Sequence, residues 1–541
     1  MIRRSVALLL AVVSGGAAAE ADGWRDSLPA DWAVAVEVRD LAALERNAER
    51  LLAPWGRHAP AVTKTLERLC PGVELAPRPW GAALVVDKRG VLSPVVYVPT
   101  EDYATLCDTL NADRADDLAV ANVAGFDLAL ADRGDWVQIS LLDAAPRVSD
   151  APNADPPRSL EEDAAAITLV VSPLGLERIA DTLTERRRGQ LDAGRGLIGP
   201  WRWPAGFDGF VDRAAPYGPL AAELAAWGRP LTVRLDADGE SLRLVAQIDE
   251  PLPSPEGEAA GYATSDNSVA HVAFSRPLPP KLIDLAIAWM QCRPDEIDAP
   301  EYPQPQWDDL AEAYRALLSG YRSGATVLTL PAAGEPVATN QAAAFAWDGD
   351  ATQFGDAVRL VVTRWNQLID AADARTPLRI AMAPLDGAEG WRLSTNLFEG
   401  FNLERSPEVA TIFDQYYGGE ELAIDLTRRG ADGWLVSFGP PPADLLEPGP
   451  PRGEEGASNQ SAPLITGELR LDRWFAWKRL VEDVDMAGVV GRRRRKPMAE
   501  APAATLRVDA GDRLRIEATL PMAAYERATT HWRSDTKADS P

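Results

Sequence analysis

Histidine, lysine and cysteine are the scarce residues of this chain. Three histidines, His58, His271 and His531, are spread over 541 residues, and no two have ligand spacing. None stands beside a Cys cluster, so a His/Cys zinc site has no basis and no metal is expected. His271 alternates within a strand and reads as a core or sheet-face residue. The three cysteines, Cys70, Cys107 and Cys292, cannot all pair, so disulfides are not the framework. Cys107 follows Tyr103 by four residues and reads as a buried thiol. A Cys70–Cys107 bridge is the alternative in an oxidising compartment. Six lysines against 49 arginines, with abundant Ala, Pro and Gly, reflect base composition more than phosphate recognition.

Catalytic motifs are missing as well. No G-x-S-x-G, no H-E-x-x-H and no Walker lysine loop occurs. Residues Gly194 to Gly199 spell G-x-G-x-x-G, but an Arg-rich helix precedes them and Pro200-Trp201-Arg202-Trp203-Pro204 follows. A dinucleotide site needs a strand before and a helix after, so this match is rejected. Ser265-Asp266-Asn267 and Ser534-Asp535-Thr536-Lys537 imitate two penicillin-binding motifs in reversed order, without the third. Asp348-Gly349-Asp350 opens like a calcium loop, yet Gln353 and Arg359 occupy positions six and twelve. With 81 acidic residues, no carboxylate pair stands out for glycosidase chemistry. No cofactor is expected.

What is present concerns export and architecture. Arg3 and Arg4, the apolar run Val6–Val13 and Ala17-Ala18-Ala19 compose a secretory signal with cleavage near Ala19. That run is about eight residues where a spanning helix needs about 20. No later run is long enough, so no transmembrane segment is expected. The mature chain is expected to be soluble and periplasmic or extracellular. The net charge of −26 becomes −28 without the two leader arginines, which disfavours nucleic acid and anionic lipid.

The element order is written nearly twice. Strand-then-helix units open at Asp31, Ala164, Asn267 and Leu464. Val-rich Trp32–Val38 leads into Asp40 as a cap and Leu41, Leu44, Ala48 and Leu51 at helical spacing. Ile167–Val171 leads into Ser172 as a cap with Pro173 at the first helical position. Ala270–Phe274 precedes a helix carrying Leu282, Leu285 and Trp289. Ile465–Leu471 precedes Asp472 as a cap and a face of Trp474, Trp477, Val481 and Val484. Hairpins turn at Asp87–Gly90, Asp132–Asp135 and Asp236–Gly239. Their later counterparts pair Leu378–Ala383 with Trp391–Asn396, Leu422–Leu426 with Trp434–Phe438, and Leu506–Asp509 with Arg513–Ala518. One lone helix is capped by Thr100; its counterpart carries Phe354, Val358, Val361, Trp365 and Leu368.

These patterns predict an α+β class: antiparallel sheets built from hairpins, helices packed on one face, and two similar lobes. The lobes are expected at 20–250, with a linker at 145–163, and at 262–530, with a linker at 439–463. The second is read as a duplicate of the first with an extra helix and hairpin at about 406–438. Asp249–Gly261 divides them, and 531–541 is expected as a disordered tail.

Leu28-Pro29-Ala30-Asp31 runs into a Val-rich strand and Asp40-Leu41. Pro94-Val95-Val96-Tyr97-Val98-Pro99-Thr100-Glu101-Asp102-Tyr103 leads to a helix and the Gly125–Ser140 hairpin. Over residues 24–185 these features resemble exported bacterial proteins of unknown function. The resemblance implies an α+β exported protein and transfers no functional residue.

Two features remain as candidate sites. Trp201 and Trp203, in a Pro/Gly-rich loop, could form an exposed stacking platform for a ligand. Arg492-Arg493-Arg494-Arg495-Lys496 could meet an acidic partner, the chain's own acidic surface or a membrane headgroup; otherwise it is a solvated loop. The leading expectation is a non-enzymatic exported protein that binds or organises an unidentified envelope component or protein. The rival is a secreted hydrolase with a carboxylate site, acting on polysaccharide. The third is a peripheral factor docked through Arg492–Lys496.

Overall fold

The structure is a computed structural model. It describes residues 24, 28–29, 31–39, 41–55, 58–59, 79–86, 92–100, 102–115, 118–123, 126–142, 167–187, 214–237, 239–253, 261–262, 268–292, 303–332, 334–337, 341–372, 378–401, 403–438, 448–449, 463–485 and 498–538. The chain divides into two compact units, 1–250 with 288–297, and 251–287 with 298–541. Both are α+β.

In the first unit, β1 (Trp32–Val38) is followed by α1 (Leu41–Leu52), β2 (Trp80–Val86) and β3 (Leu92–Pro99). Then come α2 (Tyr103–Thr109), β4 (Asp113–Ala115), β5 (Leu118–Val123), β6 (Phe126–Asp132) and β7 (Trp136–Leu141). The unit continues with β8 (Ile167–Val171), α3 (Pro173–Arg187), α4 (Gly218–Ala226), β9 (Leu231–Ala237) and β10 (Ser241–Ile248). The strands lie antiparallel in the order β4-β5-β6-β7-β3-β2-β1-β8-β9-β10.

The second unit begins with β11 (Ser268–Phe274), α5 (Pro280–Gln291, whose residues 288–291 fall in the first unit), α6 (Gln304–Ser319), β12 (Tyr321–Thr329) and β13 (Gln341–Trp347). Next are α7 (Ala351–Ala371), β14 (Ala381–Pro384), β15 (Gly390–Asn396), α8 (Leu397–Gly400) and α9 (Pro407–Tyr417). It ends with β16 (Glu421–Arg429), β17 (Gly433–Phe438), β18 (Ile465–Leu469), α10 (Leu471–Asp485), β19 (Ala504–Asp509), β20 (Leu514–Pro521) and α11 (Met522–Ala538). Its antiparallel order is β14-β15-β16-β17-β13-β12-β11-β18-β19-β20.

Strand for strand, the two orders are the same, and the registers agree. The β1–β2 ladder slips between Trp32 and Val34, and β11–β12 slips between Ser268 and Ala270. Beside each slip, Val34 faces Val171 and Ala270 faces Leu469. At the slip itself, the Ser172 amide donates to the Ala33 carbonyl at 2.9 Å, and the Arg470 amide donates to the Val269 carbonyl at 2.9 Å. Such irregularities re-aim a strand and recur where geometry demands them.

The helix-facing cores also use matched positions. In the first unit, Leu106 and Cys107 of α2 pack with Ala119, Ala121, Leu130 and Val137. In the second, Phe354, Val358 and Val362 of α7 pack with Trp391, Leu393, Leu426 and Trp434. The larger rings suit the longer helix: Phe354 stacks on Trp434 with centroids 4.2 Å apart, and Trp391 lies 5.4 Å from Trp434. Asp350 caps α7 through a reciprocal box with Gln353.

Several expectations need correction. Asp102, not Thr100, caps α2, its carboxylate accepting from the Thr105 amide at 3.0 Å. Asp472 lies inside the first turn of α10 rather than at its cap. On α5, Leu282 is buried as expected and Ile283 and Ile287 pack with Trp307 and Leu310, but Trp289, expected on the same face, is more than half exposed. The chain from 531 to 538, expected as tail, belongs to α11. Ser172 caps α3 as expected, its hydroxyl accepting from the Gly175 amide at 3.1 Å.

Candidate functional site

The feature that separates the two otherwise matched sheets is a buried polar row in the first unit. Antiparallel pairing places Gln138, Tyr97, Gly81, Glu37, Thr168 and Arg234 side by side across β7-β3-β2-β1-β8-β9. Directly opposed residues share a face. Glu37 is 1% exposed and Arg234 4%, and Tyr97, Thr168 and Gln138 are buried as well. The corresponding row of the second unit reads Leu435, Ala344, Ala325, Ala273, Thr466 and Arg507. The same frame therefore folds with Leu and Ala where the first unit holds Gln, Tyr and Glu.

The row carries charges that burial disfavours unless they are partnered. Glu37 accepts from Arg39 Nε at 3.2 Å. Gln138 accepts from Arg133 Nε at 3.0 Å. Burial holds the Tyr97 phenol well above its ordinary range, so it stays neutral. Gly81 leaves a gap that Trp24 fills: a Cβ there would lie 2.5 Å from the indole. Trp24 is fully buried, and its ring centroid sits 5.3 Å from that of Tyr97. Its Nε1 has no hydrogen-bond partner among the described residues. One row further along the same face, Gln247 donates to Asp249 at 3.0 Å while its carbonyl oxygen has no partner among the described residues.

Trp201, Trp203 and Arg492–Lys496 lie outside the described residues, as do Gly194–Gly199, the expected leader at residues 1–19 and Cys70. Cys107 is a buried free thiol on α2. The three histidines sit in three separate settings. His58 pairs with Glu49 at 2.8 Å on the surface, a bond that lowers the Glu49 pKa. His271 is buried on β11. His531 lies edge-on to Phe475, centroids 5.2 Å apart. Asp348-Gly349-Asp350 serves as a helix entry, with Asp348 paired to Arg322 and Asp350 capping α7. Among the described residues no group of three or more His, Cys, Asp or Glu could hold a metal ion, and no helix is long and apolar enough to cross a membrane.

Sequence reasoning found β1, β3 and β8 but not the polar row. Its signal was a lone Glu inside the apolar strand WAVAVEV, whose meaning depends on cross-strand register.

No protein-family model and no curated protein matches the chain. Among solved structures, crystal form I of TP0453 matches over 43% of this chain and 79% of that chain, at 12% identity and a TM-score of 0.20.

Proposed function

We propose that this chain is a non-enzymatic exported protein that binds a component of the cell envelope on a scaffold made of two copies of one ten-stranded frame. The observation that carries the reading is the repetition of strand order and register from β1–β10 to β11–β20. A frame built twice offers repeated surfaces for recognition. The copies have since diverged, one by the buried polar row and the other by a helical insertion between β15 and β16. The leader at residues 1–19 supports export, and the acidic net charge of −26 supports a partner other than nucleic acid.

Two measurements test it. Cell fractionation with N-terminal sequencing should find the mature chain outside the cytoplasm, beginning at Glu20; a cytoplasmic chain retaining Met1 would refute export. Purified mature protein should co-sediment with isolated peptidoglycan sacculi and release no fragments from them. Protein left wholly in the supernatant would count against this envelope ligand, and released fragments would favour the hydrolase.

A further inference from the structure

Trp24 and Leu28 precede β1 and belong to no strand, yet they are 0% and 1% exposed. Both pack in one cluster with Ala83 of β2 and with Val95 and Tyr97 of β3. The indole lies over Gly81, which stands in the polar row between Tyr97 and Glu37. Among the described residues the backbone of this segment makes one hydrogen bond, the Trp32 amide donating to the Pro29 carbonyl at 3.2 Å. No ladder hydrogen bond among those residues has to break for the segment to leave. Local opening is therefore far less costly than unfolding of the sheet.

The closed position carries polar costs that offset its apolar burial. The indole Nε1 is buried with no partner among the described residues, so its lost hydration is uncompensated there. Beside the ring, Glu37 is held almost wholly out of water, and burial keeps the Tyr97 phenol neutral. Withdrawal of the ring returns the indole N–H to water and opens the row next to it.

The strand frame itself does not require this ring. At the position matched to Gly81 the second unit carries Ala325, which is buried. A Cβ at residue 81 would lie 2.5 Å from the indole, so the Cβ of Ala325 excludes a ring seated in the same way. Strand order and register agree between the units all the same. The missing Cβ at Gly81 therefore makes room for a ring rather than serving the sheet.

We propose that Trp24 is a displaceable plug: it withdraws with Leu28 from the Gly81 gap while the sheet stays paired, and the vacated gap is a seat for a flat ring borne by a polar ligand. The seat already holds a ring of indole size. The Tyr97 phenol, the Glu37 carboxylate and the Gln138 amide in the same row suit hydroxyl or amide groups on such a ligand. This goes beyond the proposed envelope role and does not rest on it.

Leu28→Cys and Val85→Cys place a thiol at two buried positions of the same cluster, one on the plug and one on β2. In the full mature chain, below the unfolding transition, alkylation at 28 should run at least about 100-fold faster than at 85 and should not accelerate with added urea. Equal protection would overturn the proposal, because the plug would then open only with the whole sheet. The unsubstituted chain gives the same comparison through its indole N–H groups. Trp136, in the same cluster, donates from Nε1 to the Pro79 carbonyl at 3.3 Å and serves as the reference. The Trp24 N–H, identified by the loss of its signal in Trp24→Phe, should exchange with solvent deuterium at least about 100-fold faster than that of Trp136. Joint exchange of the two would overturn the plug equally. Indole at millimolar concentration should raise the unfolding midpoint of Trp24→Ala and leave that of the unsubstituted chain in place. A midpoint of Trp24→Ala that indole does not move would overturn the seat.

Discussion

The two units reach one strand order through different interiors. In the first, Glu37, Tyr97, Gln138 and Arg234 are buried on one sheet face. In the second, the same positions hold Ala273, Ala344, Leu435 and a half-exposed Arg507. Backbone pairing and the slip at Ala33 or Val269 define the frame, while the side chains on it can be exchanged. A buried carboxylate and guanidinium are therefore features the first unit has in addition to its fold.

Breaking this contrast most strongly requires the Trp24 anchor. Trp24→Ala should lower stability by about 3–5 kcal/mol, the usual range for a buried aromatic. Gly81→Ala should act in the same direction by about 1–3 kcal/mol, because its Cβ meets the indole. The matched change Ala325→Gly should cost only about 1 kcal/mol. Denaturant titration of the three variants checks the order. Equal effects at 81 and 325 would mean that Trp24 does not occupy the Gly81 gap.

A second test exchanges one residue type at one matched position. Arg234→Ala removes a buried charge from the row and should cost about 3 kcal/mol. Arg507→Ala removes a half-exposed arginine paired to Asp509 and should cost less than about 1 kcal/mol. Similar losses in equilibrium unfolding would erase the distinction between the two faces.

The helix entries beside the slip offer a smaller contrast. Ser172 donates to the Trp32 carbonyl at 2.8 Å, whereas Arg473 Nη1 serves the matched Ser268 carbonyl at 2.9 Å. Ser172 is also a helix cap, so Ser172→Ala should cost about 1 kcal/mol. Arg473→Ala, which touches no cap, should cost less. Unfolding midpoints measured side by side would show whether the order holds.

The weakest contrast is one of pH. Asp102 and Asp350 cap the matched helices α2 and α7. Hydrogen bonds from the Thr105 hydroxyl and amide hold the Asp102 pKa below its ordinary value. A carboxyl depressed in the folded state stabilises fully above the unfolded pKa and loses that contribution as pH falls through the folded one. Asp102→Ala should therefore separate from wild type at neutral pH and converge with it in acid. A gap that persists in acid would assign the effect to something other than the carboxylate.

Much of the frame was legible in the sequence. Apolar strands such as Ile167–Val171 and Asp/Gly turns such as Asp132–Asp135 mark β8 and the β6–β7 hairpin directly. The strands β12 and β13 were not legible, because YRSGATVLT and QAAAFAW are rich in Ala, Gly and Ser and lack a strong strand pattern. Helix α6 was missed for a related reason: its Pro-led start follows a Pro-rich stretch that reads as loop. The polar row was beyond sequence reading, since Glu37, Thr168 and Arg234 become neighbours only through pairing of distant strands.

The repeated frame is tested most directly by a crystal structure of the mature chain. Superposition of 31–248 on 268–521 should bring all ten strands into the same order, with Val34–Val171 on Ala270–Leu469 and the amides of residues 172 and 470 on the carbonyls of 33 and 269. A different strand order in either unit, or a register offset at the slip, would contradict the duplication.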